Sequence, residues 1–294
     1  MPAPLTLSAI EKHLEETQEQ SHRAHLGASV IGRKCARQLW YLFRWVQGER
    51  HKAQLLRLFK RGHLEEARFV EYLRAIGVEV WDTDPNAPLK DGKPQQFRFT
   101  RHEGHFGGAL DGVARGLPDL PPDEPFTLEF KTHSASSFAK IVANGLLSAK
   151  WEHYVQMQVG MAGFGLNYGL YMAVNKDNDD LFLEIVRADQ TEGERAFTRA
   201  GQIIWSATPP KRISESPAWF ECKFCHNARL CHFQDGPIDR NCRTCAHSAP
   251  AKGGLWQCNF PLPPGDTSDP QQLDEAAQRA ACPHYEVNPV LSQK

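Results

Sequence analysis

Seven of the eight cysteines lie between residues 222 and 282, and this lopsided placement constrains the fold before any helix or strand is assigned. A chain of 294 residues can bury a substantial core without covalent staples, so a disulfide scaffold is not needed. Two CxxC pairs, Cys222/Cys225 and Cys242/Cys245, favour metal ligation over disulfides where no export signal is read. The opening "MPAPLTLSAIEKHLEE" has no basic region followed by an apolar core, so the default compartment is the cytoplasm. No run of about 18 apolar residues is present, and no membrane span is expected. The formal charge of −1 gives no global electrostatic case for nucleic acid, so any such case has to be local.

The rest of the chain reads as alternating helices and strands. Residues 6–30 carry a modest helical pattern, and two or three helices are expected over 31–76. "VEVWDTD" and the halves of "QQFRFTRHEGHFGGALDGVARG" are expected as strands, the latter joined by a turn at 102–105. After the proline-rich "LPDLPPDEP" come a strand "FTLEFKT", helices over 135–150 and through "HYVQMQVGMAGFGL", and a strand–turn–strand in "YGLYMAVNKDNDDLFLEIV". A helix over 190–205 and the linker "SATPPKRISESP" follow. This order predicts an α/β core with a mixed sheet.

Inside "LEFKT", Glu129 and Lys131 project to one face of the strand and Leu128 and Phe130 to the other. Asp111 closes "GGALDG" on what should be the neighbouring strand, with glycines at 104, 107, 108 and 112 that let another surface come near. Two carboxylates this close repel unless a cation lies between them, and Mg2+ or Mn2+ takes such hard oxygen ligands. A lysine beside them orients a water or steadies negative charge. "RGHLEEARF" offers His63, Glu65 and Glu66 on a helix upstream, and Gln156 and Gln158 lie on a helix downstream with His153 and Tyr154. Each alone has a bland reading, a turn aspartate or a strand ion pair.

As a set, this order resembles the PD-(D/E)XK nuclease superfamily, in particular its RecB-like and phage exonuclease branch. The resemblance covers about residues 33–190. It implies a restriction-endonuclease-like core with a mixed central sheet flanked by helices. It gives Asp111 and Glu129 metal-ligand roles and Lys131 the positioning or activation of the attacking water. Glu66 or His63 is implied as an upstream helical contributor, since Gly62 and Glu66 match the phage-exonuclease spacing. Gln156 matches the glutamine of the RecB-like helix, but Gly160 stands where that motif has tyrosine. The domains expected are a nuclease domain over 1–220 and a small cysteine-rich, metal-binding region over 221–294. No phosphate-binding GxxxxGK[ST] loop and no serine elbow is present.

"CKFCHNARLC" supplies three thiols, Cys222, Cys225 and Cys231, and lone Cys35 is the spare fourth. This arrangement resembles the iron–sulfur nucleases of the CRISPR-adaptation and AddB-type groups, which implies a [4Fe-4S] cluster on Cys35, Cys222, Cys225 and Cys231. The alternative buries Cys35 and binds zinc with His226 or His232 as the fourth ligand. The second set, Cys242, Cys245, Cys258 and Cys282, reads as a closed, zinc-ribbon-like structural Zn2+ site over 242–284, with His247 and His284 either as substitutes for one ligand or as groups around the ligands or on the surface. A helix-like "DPQQLDEAAQRAAC" leads to its last member.

Between residues 31 and 61 there are nine Lys or Arg and one acid, Glu49, interleaved with Trp40, Tyr41, Phe43 and Trp45. The basic residues are expected to attract DNA phosphates and the aromatics to face the core. His105, Phe106 and Lys140 are further candidates for approaching substrate. The function these readings imply is a Mg2+- or Mn2+-dependent DNA exonuclease of phage or bacterial recombination and repair, with DNA and a recombination annealing protein or helicase as partners. The alternatives are a CRISPR-adaptation-like nuclease and a catalytically silent DNA-binding scaffold of the same fold.

Overall fold

A computed structural model describes residues 4–18, 22–261 and 271–292. The chain folds as two compact units, each assembled from three segments: residues 1–19, 50–99 and 108–196 in the first, and 20–49, 100–107 and 197–294 in the second.

The first unit is built on a five-stranded mixed sheet. Its spatial order is Glu79–Trp81, Gly112–Arg115, Phe126–His133, Tyr168–Asn175 and Leu181–Arg187. The two central strands run parallel and every other pair is antiparallel. Alternation along Phe126–His133 divides the sheet into two apolar layers. Leu128 and Phe130, with Leu170, Met172 and Val174, pack against Phe69, Val70 and Leu73 of the long helix Ala53–Ala75. On the opposite face Tyr171 and Ala173 pack with Ile141 and Leu146 of helix Ala135–Ala149 and Met157 and Met161 of helix Trp151–Phe164. Sealing Phe69 in this way stabilises the fold by roughly 2–3 kcal/mol. The start of Ala53–Ala75 is held by Glu15, whose carboxylate accepts the Ala53 N–H at 3.0 Å.

The second unit contains helices Ala36–Phe43 and Ala228–Phe233 and a small antiparallel sheet of Ser248–Pro250, Trp256–Cys258 and Gln271–Leu273. Its core is aromatic: Trp40, Phe43, Trp45 and Trp256 are all buried. Arg243 is sealed among them, with its guanidinium 3.8 Å from the centre of the Trp45 ring. It donates to the Gln278 side chain and to the carbonyls of Phe43 and Ala24.

Three readings are corrected here. The helical pattern over 6–30 stops at helix Leu5–Glu16; Leu26 and Gly27 instead form a short strand paired in parallel with Phe106 and Gly107, and residues 19–21 lie outside the described residues. Of "DPQQLDEAAQRAAC", Asp269 and Pro270 lie outside them; Gln271–Leu273 is a strand and only Glu275–Ala280 is helical. Arg44 is no DNA-facing residue. It is buried against Trp40 and donates to the Ser206 carbonyl.

Candidate active site

The register of the sheet brings the acidic residues together. Gly112 pairs with Leu128, so Asp111, in the break just before strand Gly112–Arg115, arrives beside Glu129 and Phe130. Its Oδ2 accepts the Phe130 N–H at 2.7 Å. Glycine is required at 112, because a Cβ there would lie 2.9 Å from the Trp81 carbonyl oxygen. Gly104 and Gly107, also grouped with Asp111 in the sequence, belong to the second unit.

Glu129 is buried, and both its oxygens are engaged. Lys131 Nζ donates to Oε1 and Gln156 Nε2 donates to Oε2 at 2.9 Å. Lys131 Nζ also lies 3.2 Å from the Phe130 carbonyl oxygen. On the long helix, Glu66 accepts from His63 across 3.3 Å, while His63 itself is largely exposed. Burial, reinforced by Asp111 and Glu66 and opposed by Lys131, pushes the Glu129 carboxyl up to about 7. Glu66 is raised as well, first by burial and then by Asp111. Burial works against the Lys131 ammonium, but Glu129, Asp111 and Glu66 outweigh it and raise its pKa.

This electrostatic pattern fits a hard divalent cation. Asp111 raises the pKa of both Glu129 and Glu66, and three carboxyl groups so placed are hard oxygen donors short of positive charge. Among the described residues, no group of three or more His, Cys, Asp or Glu side chains stands ready-made to grip a metal, and this applies equally to the cysteines. Here Glu129 is ion-paired with Lys131 and accepts a hydrogen bond from Gln156.

Gln156 and Gln158 divide their work. Gln156 faces Glu129, whereas Gln158 donates to the Arg187 carbonyl and accepts the Asp189 N–H, tying the helix to the end of the last strand. The absent tyrosine at 160 has a packing cause: a Cβ on Gly160 would lie 2.9 Å from the buried Leu110 Cδ2. Gly160→Tyr should therefore destabilise the protein by about 2–3 kcal/mol, read as a lower urea midpoint. An unchanged midpoint would show that Leu110 moves aside freely.

The second unit gathers the cysteines into two groups, and all eight thiols are free. Cys35, Cys222, Cys225 and Cys231 line one small cavity with His232. Cys242, Cys245, Cys258 and Cys282 line another with His247 and His284, and Phe260 stacks on the His284 ring at 4.7 Å. Burial, then Cys245, Cys282 and Cys258, push the Cys242 thiol up to about 11. Burial, then Cys35 and Cys231, likewise raise Cys222. His226 does not line the first cavity.

The basic stretch 31–61 is partly consumed by internal contacts: Arg37 donates to the Pro210 carbonyl, Lys34 pairs with Glu221, and Arg61 donates to the Lys176 carbonyl. His105 is fully buried and bonded to the Ala251 carbonyl at 2.7 Å, which removes it from any substrate; Phe106 is buried too. Residues that sequence reasoning missed are His133 and Tyr171, which are joined to His153 by hydrogen bonds within reach of the Lys131 charge, and Arg243 in the second unit. Their signal was weak: a histidine two residues beyond E-x-K, and an arginine inside a CxxC.

No family model and no curated protein matches the chain. Among solved structures, SSO0001 is 13% identical over 79% of this chain and 98% of that one, with a TM-score of 0.43. The alkaline exonuclease LHK-Exo from Laribacter hongkongensis is 16% identical over 65% of this chain and 90% of that one, with a TM-score of 0.39. Its complex with dAMP is 17% identical over 61% and 86%, also with a TM-score of 0.39. Likenesses this distant leave the site's own geometry to carry the functional reading. No helix among the described residues is long and apolar enough to cross a membrane.

Proposed function

We propose that the protein is a divalent-metal-dependent DNA nuclease of the PD-(D/E)XK type, acting as an exonuclease in recombination or repair. The observation that supports this most is the junction of Asp111, Glu129, Lys131 and Gln156 on adjoining elements, with Glu66 electrostatically coupled to them. Asp111 and Glu129 are the residues to hold Mg2+ or Mn2+. When bound, such an ion lowers the pKa of a water and neutralises charge at a scissile phosphate. Lys131 would position or activate the attacking water from its place beside Glu129, and Gln156 would keep Glu129 in place. Glu66 and His63 flank the site from the long helix and contribute through Glu66.

The same reading assigns the first cysteine group to a [4Fe-4S] cluster and the second to a structural Zn2+. Support comes from four thiols lining each cavity, where burial and then neighbouring thiols raise Cys222 and Cys225 in the first and Cys242 in the second, a state that thiolate–metal bonds relieve. DNA is the substrate, and a recombination annealing protein or helicase is the partner such an exonuclease would work with.

The pH dependence tests the metal-ligand role of Glu129. Its carboxyl must be ionised to bind a cation, so at low Mg2+ cleavage should rise with pH through about 7. Saturating Mg2+ competes with the proton and should move that rise to lower pH. The linkage has the same sign. The folded carboxyl keeps its proton longer than the unfolded one, so its ionisation costs stability as pH climbs through about 7. Mg2+ should consequently raise the melting temperature more at pH 8 than at pH 6. A pH–rate profile that ignores Mg2+ concentration would remove Glu129 from the ligand set.

A further inference from the structure

The face of the central strand that carries Glu129 and Lys131 also carries Thr127 at one end and His133 at the other, and the structure closes His133 into a hydrogen-bonded network. The Tyr171 hydroxyl lies 2.8 Å from His133 Nε2 and 2.9 Å from His153 Nδ1. Ser137 Oγ lies 3.1 Å from His133 Nδ1. Tyr171 is fully buried and sits opposite Glu129 in the parallel register. The His133 and His153 rings are near-parallel, 26° apart, with centroids 5.9 Å apart. His153 stands one helical turn before Gln156, the residue that binds Glu129 Oε2.

One hydroxyl proton serves two imidazoles, so Tyr171 donates to one ring and accepts an N–H from the other. That fixes the tautomers in sequence from Ser137 to His153. Burial, with Lys131 and Lys150 close by, depresses both histidines and keeps both rings neutral. The groups facing Tyr171 are these rings and, through charge, Glu129 and Glu184. A neutral, hydrogen-bonded wall is suited to standing near a lysine: it neither repels the ammonium nor competes for Glu129.

We propose that His133, Tyr171 and His153 form a positioning brace that fixes Lys131 against Glu129, Tyr171 being its keystone. The brace acts through Lys131 and touches no substrate, so these are positioning residues. The inference rests on the nuclease reading for its consequence in rate, though not for the brace itself.

Tyr171→Phe keeps the ring and removes the shared hydroxyl. The expected result is a fall in kcat of about 10-fold or more, with KM for DNA and DNA binding in EDTA unchanged. His153→Gln, which keeps a donor and acceptor near the hydroxyl, should recover part of the rate that His153→Ala loses. Wild-type kcat in Tyr171→Phe, or a loss in which KM, binding and melting temperature all decline together, would overturn the positioning role. If the wild-type protein cleaves no DNA, the nuclease reading fails separately, and imidazole 15N shifts then decide on the brace. One fixed tautomer on each ring in wild type, giving way to mixed tautomers in Tyr171→Phe, supports it; mixed tautomers in wild type, or fixed tautomers unchanged in Tyr171→Phe, overturn it.

Discussion

Glu129→Gln is expected to lower cleavage of linear DNA by on the order of 10³-fold while DNA binding in EDTA stays at the wild-type level. The amide preserves the shape of the side chain and its bond with Gln156, but it removes the charge that would hold a cation. It also takes the carboxylate from Lys131, leaving the ammonium without its ion-pair partner. Asp111→Asn should act in the same direction, since Asp111 both adjoins Glu129 and accepts the Phe130 N–H. A catalytically silent scaffold has no cleavage to lose, so residual wild-type-level cleavage in Glu129→Gln, or none in either protein, separates the alternatives.

The second large effect concerns the cysteines. Protein purified without air should carry about four irons on the first group and about one zinc on the second. Structural zinc in small domains contributes an apparent 10–16 kcal/mol, roughly, so stripping it should unfold the segments it ties together. Cys245 is buried and paired in an isolated bridge with Val287, which makes Cys245→Ser the sharpest variant. It should lose the zinc, leave the iron and lower the melting temperature well beyond the few degrees expected of an ordinary surface substitution. Cys35→Ser should do the reverse. Two zincs and no iron would replace the cluster with a second zinc site while leaving the nuclease reading intact.

The period of two along "FTLEFKT" placed Glu129 and Lys131 on one face, and the helical pattern placed Gln156 and Gln158 on one helix. Both follow from local geometry and were legible. The mixed sheet was legible from the order of the elements, and the helices flanking it were implied by the resemblance. Residues 26–30 were misread because Leu26 gains more from pairing with Phe106, 80 residues away, than from extending a weak helix. The His133–Tyr171–His153 network depends on which strands become parallel neighbours, a tertiary fact that no window of sequence contains. Arg243 escaped notice because charged residues are rarely sealed in cores; here three tryptophan and phenylalanine rings and three hydrogen bonds make that burial tolerable. Its pKa still falls to about 9, which records the cost of desolvation.

The nuclease reading is tested most directly by end-labelled linear DNA, single- and double-stranded, incubated with the wild-type protein in Mg2+ and in EDTA. Progressive release of label from DNA ends in Mg2+, absent in EDTA and in Asp111→Asn, is the predicted result. Intact DNA in Mg2+ and in Mn2+, from protein with its cysteine-bound metals in place, would contradict it and reduce Glu129 and Lys131 to a buried ion pair.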